Sequence, residues 1–401
     1  MHQFRGQKTD AADSGGPGRR PPIPGALPAP GSRGRGFSRP RRRAAVLAGA
    51  LAVGVAGTIL TAASGVTAAS PPPAPAPGGT SLSVDQADTY KIAQENGPGS
   101  VNRTDSRWDV YGADLGSMFT YQGRIYMVFG DTFGGPAANP FFSVPHSNWR
   151  SNTMAYIDSK ARPVHGLVFT GMITGPSGAA KELLSSKKIP GDEQTVIPTY
   201  GLGVGHTMYL YFMSVNQFGA PGHWTLNYSG IAYSTDGGQT WTKDSAVTWP
   251  GDSNFGQAAL VKQGGYVYEF GIPGGRYGAA QLARVPSGKV LDKAAYQYWT
   301  GQRWVTNDPA AAMDVVPAPV GELSVRWNSY YHRWLMMYLN DPAGQIVLRT
   351  AERLTGPWSS PQVSLPRSNT PACMRPTSRL CGITGRISTS RCPCTARTRS
   401  I

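Results

Sequence analysis

The sequence predicts an all-β fold assembled from propeller-like blades, and three observations carry that expectation. Glycine and proline are abundant, 50 and 34 of 401 residues, which suits short strands joined by many turns. Four aromatic and β-branched runs stand out at residues 124–129, 207–213, 266–270 and 334–339, each after a turn-like or polar stretch. Within residues 125–129 both alternating sets of side chains are apolar, the pattern of a strand buried on both faces. The runs recur at irregular intervals of roughly 60–80 residues, which excludes a short-period solenoid and suits successive blades with long insertions.

Residues 1–43 are rich in Pro, Gly and Arg and are expected to be disordered. Residues 44–69 are uncharged and mostly apolar, and they follow Arg41-Arg42-Arg43. They read as a signal peptide cleaved near Ala69 or as a signal-anchor helix, so the product is expected to be secreted or held at the cell envelope. Contact with a membrane is expected only through this segment, if it stays uncleaved. Residues 70–85 begin as a Pro-rich linker, and residues 86–364 form the folded domain. The net charge of +15 suggests a nucleic-acid binder, but its distribution removes that class. The ends, 1–43 and 365–401, carry +8 and +7, which leaves the domain between them neutral.

Residues 111–133 read as one β-hairpin with Gln122-Gly123 at its turn. A two-residue loop makes Tyr121 face Arg124, and it then makes Asp114 face Asp131. Like charges directly opposite each other destabilise a sheet, so a pair kept there has a use or an environment that tolerates it. A three-residue loop, or a bulge near Gly112 or Gly116, would splay the two. Their bland reading is as turn or cap residues beside Gly112, Gly116 and Gly130.

Residues 234–241, Ser-Thr-Asp-Gly-Gly-Gln-Thr-Trp, fit the pattern S-x-D-x-G-x-T-W, which resembles the Asp-box turn of sialidases and other propellers. There Asp236 is expected to bond its own backbone rather than a substrate. Further polar clusters offer Trp149, Arg150 and Asn152; Asp252 and Asn254; Arg276; and Glu322, Arg326 and Asn328. Aromatic faces, amides, arginines and carboxylates together suit a carbohydrate. Each also has a structural reading: Asp252 closes a turn, Trp149 packs under a blade, and Glu322 with Arg326 forms a cross-strand ion pair.

No residue pattern calls for a metal or cofactor. Six histidines form no paired motif, no glycine-rich phosphate loop follows a strand, and no Gly-x-Ser-x-Gly elbow occurs. All four cysteines lie at 373–394, without the spacing of a zinc site.

The ordered motifs Gly-Ala-Asp-Leu-Gly, Val-Phe-Gly-Asp-Thr-Phe, Trp-Arg-Ser-Asn-Thr-Met-Ala-Tyr, Ile-Pro-Thr-Tyr-Gly, Trp-Pro-Gly-Asp-Ser-Asn-Phe-Gly-Gln and Trp-Asn-Ser-Tyr-Tyr resemble the actinobacterial DUF4185 domain family over residues 95–364. That family overlaps the endo-D-arabinanases of glycoside hydrolase family 183. The resemblance implies a five-bladed β-propeller that cleaves D-arabinan in arabinogalactan and lipoarabinomannan, acting as a monomer on a polysaccharide. Its paired aspartates map by motif onto Asp114 and Asp131. Flanked by Phe129 and Phe133, Asp131 is expected to keep its proton and act as general acid, with Asp114 as base. Glycan contacts are expected from Trp149, Arg150, Asn152, Asp252, Asn254, Arg276, Glu322, Arg326 and Asn328. The alternative is a non-catalytic glycan-binding propeller, which needs no carboxylate pair; a sialidase rests on the Asp-box alone. After residue 364 the chain departs from the family, with no aromatic residue beyond Trp358. That Arg/Cys-rich tail reads as a frameshifted end that leaves the propeller incomplete at its C-terminus.

Overall fold

A computed structural model describes residues 91–135, 148–158 and 166–365, all within a unit running from Pro77 to Ile401. The expected disordered segment, the signal helix, the linker and all but Leu365 of the aberrant tail lie outside the described residues. Among those described, no helix is long and apolar enough to cross a membrane.

The fold is all-β, with one five-residue α-helix, α1 (Thr104–Trp108), among the described residues. Strands follow one another in four antiparallel meanders. The first holds β1 (Gly112–Tyr121), β2 (Arg124–Phe133), β3 (Thr153–Asp158) and β4 (Gly171–Met172). The second holds β5 (Thr195–Val204), β6 (Thr207–Phe218), β7 (Trp224–Ser234) and β8 (Thr242–Pro250). The third comprises β9 (Gln257–Gln263), β10 (Tyr266–Ile272), β11 (Gly278–Pro286), β12 (Gln297–Trp299) and β13 (Trp304–Thr306). The fourth comprises β14 (Asp314–Asn328), β15 (Arg333–Asn340), β16 (Gln345–Ala351) and β17 (Gln362–Leu365).

Each of the four aromatic runs is the second strand of its meander, β2, β6, β10 and β15. This strand has a neighbour on each side, and in β2 one face packs on the second meander while the other packs on α1 and residues 167–180, so apolar residues fall at consecutive positions. In β2, Tyr126 to Thr132 are all buried. A fifth meander, which a five-bladed propeller requires, is not among the described residues.

The first strands β1, β5, β9 and β14 adjoin in that order. Ser117 Oγ donates to Thr199 O at 2.8 Å, and Ala258 N donates to Thr199 Oγ1 at 3.3 Å. Strand β14 serves two sheets: its first half pairs with β11 and its second half with β15. The change falls at Gly321–Ser324, where the register shifts and Glu322 takes φ 45°. Apolar layers fill the spaces between successive meanders. Fully buried Phe212, Trp249 and Phe270 anchor them, each contributing about 1.5–3 kcal/mol.

The Asp-box joins β7 to β8 as a turn. Asp236 Oδ1 accepts N–H bonds from Gln239 at 2.9 Å and Thr240 at 3.0 Å, and Trp241 Nε1 donates to Gly238 O at 3.0 Å. Slight desolvation opposes ionisation, yet the bonds from Thr240, Ser234 and Gln239 hold Asp236 down at about 2. Every acceptor is directed at its own loop, so its role is structural.

One layer carries charge. Glu269 on β10 is buried, and neither carboxyl oxygen has a partner. Burial pushes it up to about 8, although the Lys293 charge pulls the other way. Lys293 Nζ lies 3.2 Å above the Trp249 ring, and desolvation lowers it to about 7.

Candidate functional site

Gln122 and Gly123 both take positive φ, 44° and 77°, the conformation of a two-residue type I′ hairpin loop. The register follows: Tyr121 pairs Arg124 and Ala113 pairs Thr132. Asp114 therefore faces Gly130 and Asp131. The splaying bulge is present as well. Leu115 and Gly116 have φ 58° and 98°, and the register shifts on both sides of Leu115. A left-handed Leu is strained, and such strain persists only where surrounding structure holds it.

Asp131 is 2% exposed, and two donors converge on its Oδ1: Trp149 Nε1 at 3.0 Å and Thr195 Oγ1 at 2.6 Å. Trp149 is placed by the backbone bridge between Arg150 and Thr132, and Thr195 opens β5. Burial raises Asp131 to about 6, against the bonds from Thr195 and Trp149 that favour the carboxylate.

Asp114 has the opposite setting. The residue is partly exposed, but its Oδ1 is shielded and has no hydrogen-bond donor. Desolvation, then the charges of Asp131 and Glu322, raise Asp114 well above the usual carboxylate range; Arg276 and the Asp131 N–H oppose them. Space for this carboxyl exists because residue 130 is glycine: a Cβ there would lie 2.1 Å from Asp114 Oδ1.

Across from this pair, Arg276 donates through Nε and Nη2 to Glu322 Oε1 at 2.9 and 2.8 Å. Its Nη1 reaches Asp341 Oδ1 at 3.4 Å. Asp341 is fully buried and accepts from Tyr277 OH at 2.9 Å, and the His223 ring stacks on Tyr277 with centroids 4.3 Å apart. Glu322 Oε2 is shielded without a partner. Arg276 thus acts on three carboxyls, Glu322, Asp341 and Asp114, whereas Asp131 feels the Lys188 charge. Among the described residues, no group of three or more His, Cys, Asp or Glu side chains is arranged to hold a metal ion.

Asp114, Asp131, Trp149, Arg276 and Glu322 therefore come together. The other expected glycan contacts do not join them. Arg150 is buried and donates to Ala180 O and Asp109 O at 3.0 and 2.6 Å. Asn152 spends its amide on Leu184 O and Val196 O and accepts from the Leu183 and Leu184 N–H groups. Asn254 donates to Gly271 O and Ala279 O at 3.0 and 3.1 Å. Arg150 and Asn152 are buried and Asn254 is half-buried, and all three spend their donors on backbone carbonyls of neighbouring loops and strands. Asn328 caps the β14–β15 turn by accepting from the Tyr330 and Tyr331 N–H groups. Asp252 stands exposed at the turn after β8. The expected Glu322–Arg326 pair is replaced by Glu322–Arg276. The bend at Glu322 aims the carboxyl at Arg276, while Arg326 lines a separate cavity at the far end of the first strands. Thr195, Tyr277, Asp341 and His223 carried no motif; only the fold brings them to the cluster.

Solved structures with partial likeness include a putative hydrolase from Bacteroides ovatus ATCC 8483, at TM-score 0.45 and 12% identity, covering 66% of this chain and 73% of that one. Another is Zg3597, a family 117 glycoside hydrolase of Zobellia galactanivorans, at TM-score 0.39 and 11% identity, covering 68% and 74%. Notoamide biosynthesis cluster protein J of Aspergillus sp. (strain MF297-2) is 30% identical over 286 residues, 67% of this chain and 74% of that protein. Protein J′ of Aspergillus versicolor is 30% identical over 287 residues, covering 67% and 75%. The family described as Domain of unknown function (DUF4185) matches residues 99–379, a span that holds the whole carboxylate cluster and all four meanders. This chain belongs to the DUF4185 family.

Proposed function

We propose that the chain is an exported glycoside hydrolase that cleaves internal D-arabinofuranosyl linkages of arabinogalactan and lipoarabinomannan, with Asp114 and Asp131 as its acid–base pair. The four meanders are read as blades of a five-bladed propeller, exported through residues 44–69. One observation carries the enzymatic reading: two opposed aspartates sit in environments that split their proton affinities. Glycoside hydrolysis needs that split, one carboxylic acid and one carboxylate flanking the scissile bond.

The split assigns roles opposite to those expected from the flanking phenylalanines. Asp114, shielded and without a donor on Oδ1, keeps the proton and delivers it to the leaving oxygen. Asp131, held ionised by Thr195 and Trp149, acts at the anomeric carbon or on the attacking water. The glycosidic C–O bond breaks, water supplies the new oxygen, and its proton ends on the carboxyl system. Arg276, by neutralising Glu322, limits how far Asp114 is raised.

The test is to incubate the full chain with arabinogalactan and chromatograph the products. Release of a ladder of oligosaccharides is the expected result; binding without release would mark a glycan-binding protein, and neither would overturn the substrate class. Activity is expected to rise with pH through about 6, as Asp131 ionises, and to fall at higher pH as Asp114 loses its proton. Thr195→Val removes a donor to the carboxylate form. It should move the acid limb of kcat/KM upward by about 0.5–1 pH unit, since one such bond is worth about 1 kcal/mol. Gly130→Ala places a methyl on the Asp114 carboxyl; kcat should fall about 10²-fold with the fold retained, as shown by circular dichroism.

A further inference from the structure

The first strands carry a second feature at the end away from the carboxylates. A cavity of about 380 Å³ opens there between β1, β5, β9 and β14. Its size lies in the range of small-molecule sites, roughly 300–1,000 Å³. Phe119, Leu202, Leu260, Val325 and Trp334 supply apolar wall. Trp327, 40% exposed, packs edge-on against Trp334 at 5.3 Å and presents the rest of its ring to solvent.

Charge at this cavity is one-sided. Lys262 and Arg326 line it, and no Asp or Glu does. Lys262 Nζ donates to Gly203 O at 2.7 Å, which pins the ammonium at the wall with donors to spare. Among the described residues, no hydrogen bond or ion pair engages the Arg326 guanidinium. Arg326 is exposed and lines the cavity, and its charge is felt at half-buried Tyr200, another wall residue. A cation beside apolar wall, without a protein counter-ion, is complementary to a carboxylate carried on an apolar ring.

We propose that this cavity is a binding site for a small aromatic carboxylate, distinct from the Asp114–Asp131 cluster. The carboxylate pairs with Arg326 and Lys262, and the ring lies against Trp327 and the apolar wall. The site's ligand class does not depend on the glycosidase reading, since none of its residues belongs to the carboxylate cluster.

The probe is 2-naphthoate, titrated into the full chain by isothermal calorimetry, with 2-naphthalenemethanol as the uncharged analogue. Saturable binding is expected, at least tenfold tighter for the carboxylate than for the alcohol. Arg326→Ala should weaken naphthoate at least tenfold and leave the alcohol within twofold. Arg326→Lys, which keeps the charge but not the fork, should recover part of that loss. A second variant, Leu260→Trp, fills the cavity without touching charge and should abolish both ligands, with retained folding checked by circular dichroism. No binding of naphthoate, equal affinity for acid and alcohol, or naphthoate affinity unchanged in Arg326→Ala would each overturn the proposal.

Discussion

Asp131→Asn is expected to lower turnover of D-arabinan by roughly 10²–10⁴-fold, the range for loss of a positioned acid or base. Its value as a test lies in what it preserves. An amide oxygen still accepts from Trp149 Nε1 and Thr195 Oγ1, so the two anchors at 3.0 and 2.6 Å remain satisfied. The variant also removes a buried charge from beside Asp114. Melting temperature should therefore hold or rise while activity collapses, and oligosaccharide binding should survive. Asp114→Asn should lose activity to a similar degree and should also lose the alkaline limb of the pH profile, because the group that deprotonates there is gone. Full activity in either variant would remove the acid–base assignment.

The second large effect concerns stability. Glu269 is raised from 4.5 to about 8 in the fold, so between those values the folded state binds more protons than the unfolded. Stability therefore falls as pH rises from about 4.5 to about 8, by an amount on the order of 5 kcal/mol. Lys293 is lowered from 10.5 to about 7, so there the unfolded state binds more protons, and stability rises again as pH climbs from about 7 toward 10.5. The two slopes predict a minimum near pH 7–8. Glu269→Gln with Lys293→Met should flatten this V and gain about 1–4 kcal/mol at its minimum, as replacements of buried charge by neutral groups do. Denaturant titrations at pH 5, 7.5 and 9.5 check it; a monotonic profile in the unaltered chain would sink the account.

Much of the architecture is legible without coordinates. Each aromatic run marks the second strand of a meander because a strand covered on both faces must be apolar throughout, and four runs correspond to four meanders. The Asp114–Asp131 opposition follows from counting outward from Gln122-Gly123, since antiparallel pairing conserves register until a bulge intervenes. The Asp-box is equally local: Asp236 bonds residues three and four positions along. The expected sugar contacts fared differently. Arg150, Asn152 and Asn254 occur in polar clusters that look like a site. An amide that bonds backbone carbonyls and an exposed amide awaiting a hydroxyl have the same sequence signature. Which one occurs depends on whether a neighbouring loop covers it.

By itself the sequence determined the all-β class, the four runs that become second strands and the turn at Gln122-Gly123, while leaving open the loop length that decides how the two aspartates face. These depend on interactions between residues close along the chain or related by simple strand pairing. Tertiary structure alone decided the surroundings of each carboxyl. Thr195, 64 residues beyond Asp131, donates to one carboxyl and offsets part of the rise that burial causes. Glu322, more than 200 residues beyond Asp114, joins burial and Asp131 in raising the proton affinity of the other. Proton affinity is set by desolvation and by charges within a few ångströms, and nearness of that kind exists only once the meanders have packed.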